Sequence, residues 1–117
     1  MDDETRKTTE ARFAHPAERA LAELFDRHGI RWHYEPHVFE IRRGPDGRTT
    51  EAFRPDFYLP DLDLYVECTT MKQSLTSRKT RKARHAQSLH GIVCVVLYRR
   101  DLERLSSLYG LELEEAA

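Results

Sequence analysis

Apolar residues recur along this chain with two alternating periods. Ala17, Leu21, Leu24 and Phe25 fall at helical spacing and share one stripe. Pro16 suits the first turn of that helix, where a missing N–H costs nothing, and Gly29 supplies the stop. The period then shortens. Ile30 to Tyr34 is expected to enter a sheet, and His37 to Arg43 reads as a strand with Phe39 and Ile41 on one side. Gly44-Pro45-Asp46-Gly47 is a turn, after which Thr49 to Tyr58 returns as the second arm of a hairpin. Leu64 to Thr69 is a further strand, with Leu64, Val66 and Cys68 facing one way and Tyr65, Glu67 and Thr69 the other.

Ser74 to Ser77 has the polarity of a helix cap, for a helix spanning Arg78 to Leu89 that Gly91 closes. Ile92 to Tyr98 is nearly continuously apolar and β-branched, the pattern of a strand buried on both faces. Asp101 caps a last helix, Leu102 to Leu108, closed by Gly110. The predicted order is helix, three strands, helix, strand, helix: an α/β fold with helices flanking one mixed sheet. With 117 residues a single domain is expected, residues 13–117, preceded by a loose polar tail over 1–12.

Composition narrows the function classes. The chain is 39% hydrophobic and 33% charged, which suits a globular protein with a heavily charged surface. No apolar run approaches the length of a membrane span, and Met1-Asp2-Asp3-Glu4 does not open a secretory signal, so a cytoplasmic protein is expected. Cys68 and Cys94 make neither a disulfide framework nor a zinc pattern. His28, His33 and His37 straddle a helix stop and a strand and would not share a face. Thr69, Ser74 and Ser77 lack a His and an acid in a nucleophile arrangement.

The net charge of −1 hides an uneven layout. No Asp or Glu occurs between Cys68 and Arg100, while Lys72, Arg78, Lys79, Arg81, Lys82, Arg84, Arg99 and Arg100 all do. Such a basic zone on an otherwise acidic protein attracts a phosphate backbone. By itself, a charge block is also what a solvated helix face looks like.

The chemistry is concentrated in Asp56 and Glu67. Asp56 follows Pro55 near the end of one strand, and Glu67 lies in the middle of the next. Taken alone, Pro55 and Asp56 suit the end of an edge strand, and Glu67 suits an ion pair. An acid among apolar neighbours is costly to bury without a partner, however, and two carboxylates on adjacent strands can converge on one hard cation.

The run "RPDFYLPDLDLYVECTTMK" resembles the PD-(D/E)xK nuclease core motif, and "PAERALAELFDRHGIRWHYEP" resembles the first helix and following strand of small members of that superfamily. The likeness covers roughly residues 16–100. It implies a restriction-endonuclease-like core and a metal-dependent nuclease, an endonuclease hydrolysing phosphodiester bonds with Mg2+ or Mn2+. It further implies that Asp56, Glu67 and the backbone carbonyl of Cys68 are metal ligands, with Glu18 supporting them from the first helix. Where the motif carries its lysine this chain has Thr69. Lys72 is the expected replacement in the catalytic set, with Lys79 and Lys82 as the other candidates. Arg78, Lys79, Arg81, Lys82 and Arg84 are expected to contact nucleic acid, DNA before RNA. A homodimer or partner protein is expected for so small a chain, and a membrane is not. The missing lysine also fits a second possibility: a catalytically degenerate binding or partner module that keeps the nuclease fold.

Overall fold

The computed structural model describes residues 12–69 and 73–113, with side chains of residues 73–76 excepted. Its elements are α1 (Pro16–Arg27), β1 (His33–Tyr34), β2 (Phe39–Arg43), β3 (Thr49–Phe53), β4 (Phe57–Leu59), β5 (Leu64–Thr69), α2 (Gln73–His90), β6 (Cys94–Tyr98) and α3 (Arg99–Tyr109). The mixed α/β class is as expected, with three helices among the described residues. The expected order is corrected in two places. The entry at Ile30 to Tyr34 condenses into the two-residue β1, and the arm predicted over Thr49 to Tyr58 is two strands.

That break has a local cause. Pro55 has no N–H to give to a ladder, and its ring restrains Arg54. The chain therefore changes sheets at Arg54-Pro55-Asp56. β3 pairs antiparallel with β2 as a separate hairpin, whereas β4 joins a four-stranded sheet of order β1-β4-β5-β6. In that sheet β1, β4 and β5 are antiparallel neighbours, and β5 runs parallel to β6 with α2 as the crossover.

Strand alternation divides the core between the two faces of this sheet. Val66 and Cys68 pack with Phe57, Leu59 and Trp32 against the α1 residues Ala17, Leu21 and Phe25, and against Leu102 of α3. Tyr65 faces the other way, toward Ala83 and Ala86 of α2 and Phe53 of the hairpin. Glu67 and Thr69 share the parity of Tyr65 and so lie on the α2 side.

α1 begins with His15 as N-cap, its Nδ1 accepting from the Ala17 N–H at 3.0 Å, with Pro16 next. It ends in a Schellman turn: Gly29 at φ 66° donates to the Asp26 carbonyl and Ile30 N–H to that of Phe25. α2 starts five residues earlier than its sequence suggests, so the serines expected as caps lie within the helix. At α3 the cap is Tyr98, and Asp101 stands at the third helical position, accepting from the Tyr98 N–H at 2.9 Å.

β6 is also corrected. It is the edge strand of the sheet, with Val95 41% exposed and Val93, just before it, 56% exposed, rather than a strand buried on both faces. Its apolar run reflects Cys94 and Val96 packing toward α2 and Leu97 toward the α1 side. Two of its backbone N–H groups are taken by side chains, Cys94 by Gln87 at 3.0 Å and Tyr98 by Asp101. Those caps cover part of the edge that another strand could join. Among the described residues no helix is long and apolar enough to cross a membrane.

Candidate active site

The parity of β5 and the break before β4 put two carboxyl groups together. Glu67 Oε1 accepts from the Asp56 N–H at 3.0 Å, and Asp56 Oδ2 accepts from the Cys68 N–H at 2.7 Å. Each acid is thus held by the other's strand. The Asp56 carbonyl in turn accepts from the Glu35 N–H at 2.8 Å, and Glu35 reaches this position with φ 49°. A non-glycine residue in that region is strained, and strain of about 1–3 kcal/mol is retained only where the surroundings enforce it.

Glu18 approaches from α1. Its Oε1 accepts from the Tyr34 hydroxyl at 2.6 Å and from the Ala14 N–H at 3.0 Å. All three acids are buried, at 7% exposure for Glu18, 6% for Asp56 and 4% for Glu67. They line one cavity of about 380 Å³ that lies where α1 and α2 approach the sheet from opposite faces.

Electrostatics matches this crowding. Burial, then the neighbouring charges of Glu67 and Glu18, pushes the Asp56 carboxyl up to about 9 from an ordinary 3.8. Glu67 is also raised by burial, although Lys79 opposes the shift. The Tyr34 hydroxyl is raised by burial and by its bond to Glu18. Burial likewise lifts the Cys68 thiol well above its usual range.

The cation of the site comes from α2. Lys79 Nζ lies 3.5 Å from Glu67 Oε2 and donates to the Cys68 carbonyl at 3.2 Å. Lys82 also turns inward, but toward the hairpin, donating to the Ala52 carbonyl at 3.3 Å. Arg78, Arg81 and Arg84 are exposed on the outer side of the helix. The basic stretch is therefore sorted by helical phase into an inner pair and an outer row. Lys72, the lysine expected from the sequence, lies outside the described residues. Thr69, which stands where the resembled motif carries its lysine, is 2% exposed.

The donors suit a hard divalent ion in kind: two carboxylates of consecutive strands, which is what magnesium needs beside water and substrate oxygens. Their present arrangement is closed. Among the described residues no three His, Cys, Asp or Glu side chains form a ready-made cage, because Asp56 and Glu67 are bonded to each other's backbones and Lys79 stands beside Glu67 and the Cys68 carbonyl.

Four residues of the site carried no assigned role in the sequence: Tyr34 only ended the segment expected to enter the sheet, Glu35 followed it, Arg54 preceded the Pro-Asp pair, and His15 preceded the helix. Tyr34 packs on the α1 side of the sheet. Compared with protein-family models, curated proteins and solved structures, the chain returns no match.

Proposed function

We propose that the chain is a metal-dependent nuclease of the PD-(D/E)xK type, with a restriction-endonuclease-like core, hydrolysing phosphodiester bonds in nucleic acid, DNA before RNA. The observation that carries this is Lys79. The motif's missing lysine has a substitute whose ammonium stands 3.5 Å from Glu67 and 3.2 Å from the Cys68 carbonyl, although it is supplied by the next helix. Asp56 and Glu67 would hold magnesium or manganese, with the Cys68 carbonyl beside them and Glu18 on the cavity wall. The ion supplies charge neutralisation at the phosphoryl oxygens and acidifies a water.

This chain's own groups do the rest. The backbone bonds of Cys68 and Asp56 orient the two carboxyl groups before substrate arrives. Tyr34 and Ala14 fix Glu18. Lys79 places a positive charge where the negative charge of the transition state grows, and orients the attacking water by hydrogen bonding. The outer arginines of α2 attract the backbone of the strand.

A second function, a binding module without turnover, has an observation in its favour. Lys79 already neutralises Glu67, and a protonated Asp56 would leave the cluster satisfied without an ion. A cleavage panel separates the two: duplex, single-stranded, branched and RNA substrates with magnesium or manganese, beside Asp56→Ala. Metal-dependent cutting that Asp56→Ala abolishes supports the nuclease. Binding without cutting on every substrate supports the module.

A further inference from the structure

An acid-lined cavity repels the phosphodiester it would have to accept, so some group must draw the phosphate in. Arg54 lines the same cavity as Asp56 and Glu67 and is exposed. Among the described residues, the acids of that cavity form their ion pair with Lys79, not with Arg54. Its backbone is constrained, because the buried ring of Pro55 disfavours helical conformation for the residue before it. An exposed guanidinium on a constrained backbone, beside acids that pair with Lys79, is available to an anionic ligand. Its planar fork matches two oxygens of one phosphate.

His15 provides a second donor on the same cavity. Its Nδ1 accepts from the Ala17 N–H at 3.0 Å. A ring nitrogen that accepts a hydrogen bond carries no proton, so the donor left to the neutral ring is Nε2–H. The helix cap thereby fixes both the tautomer and the ring position.

We infer that Arg54 and His15 form a phosphate subsite that receives a backbone phosphate of the nucleic-acid strand and sets it against Asp56 and Glu67. This rests on the nuclease proposal and adds to it two positioning residues outside the acidic cluster and the basic helix.

The experiment is binding, read apart from turnover. Fluorescence anisotropy of a labelled DNA duplex is followed with calcium, another hard oxygen-seeking ion, across a salt series. Arg54→Ala is expected to weaken binding about tenfold and to lower the slope of log affinity against log salt by about one. Arg54→Lys recovers part of the affinity but not the two-oxygen geometry. His15→Asn keeps a capping oxygen while removing Nε2–H, so it weakens binding with the melting temperature unchanged. Wild-type affinity and slope in Arg54→Ala overturn the subsite. So does a wild type that takes up metal but no DNA, and that result leaves the metal site standing. Arg54-dependent DNA binding in a protein that takes up no metal supports the subsite and contradicts the nuclease.

Discussion

Lys79 reaches from α2 to within 3.5 Å of the Glu67 carboxylate in the middle of β5. If that ammonium serves the reaction, Lys79→Met lowers kcat by about 10²–10⁴-fold while substrate affinity stays close to wild type. Lys79→Arg retains part of the rate. The same Lys79→Met change leaves the buried Glu67 carboxylate without its ion-pair partner and costs about 1–3 kcal/mol of stability, measured by denaturant unfolding. Full turnover in Lys79→Met with loss in Lys72→Ala returns the role to Lys72.

Asp56 is expected to make the protein sensitive to alkali. Its carboxyl titrates near 9 when folded and near 3.8 in an ordinary setting, so the folded state holds the proton more tightly. A raised folded pKa gives stability that is present at low pH and is lost as pH climbs from the ordinary value through the folded one. Glu67, also raised, contributes with the same sign. In chelator, this contribution is lost as pH rises from about 4 to about 9, and Asp56→Asn flattens the resulting fall in melting temperature. An equal slope in wild type and Asp56→Asn disproves the assignment.

Much of this was legible in the chain. Helical spacing with Pro16 and Gly29 marked α1, the Gly44 to Gly47 turn marked the hairpin, and alternation in Leu64 to Thr69 set Glu67 opposite Val66 and Cys68. What escaped depends on tertiary partners. A strand period does not reveal that β3 and β4 pair with different neighbours, and an apolar run such as Cys94–Tyr98 looks the same at a sheet edge as at its centre. The Lys79 contact escaped for a related reason: the docking angle of α2 decides which of its side chains meets Glu67, and Lys72, the replacement expected from nearness in sequence, lies outside the described residues.

That docking depends on small residues. Ala83 and Ala86 are 1% and 0% exposed where α2 meets the sheet. Ala86→Leu overpacks this contact at a cost of about 1–3 kcal/mol and moves the helix that carries Lys79. Turnover is expected to drop more than folded fraction at permissive temperature. Unchanged kinetics and stability together would show that α2 is not tightly seated.

The outer row of α2 separates from the inner pair in a salt series. Removing Arg78 and Arg81 together lowers the slope of log DNA affinity against log salt by about two, one per lost phosphate contact. Lys82→Ala leaves the slope unchanged, since that amine donates to the Ala52 carbonyl, and lowers stability instead. The opposite pattern would place the nucleic acid on the hairpin side of the helix.

The central claim is that Asp56 and Glu67 hold one divalent ion, and calorimetric titration of manganese tests it most directly. Wild type is expected to bind one ion with proton release at neutral pH, because a carboxyl that titrates near 9 must give up its proton to become a ligand. Asp56→Asn, which keeps the size and the Cys68 N–H bond, should show no binding at that site. Equal heats in wild type and Asp56→Asn, or binding by neither, would contradict the account.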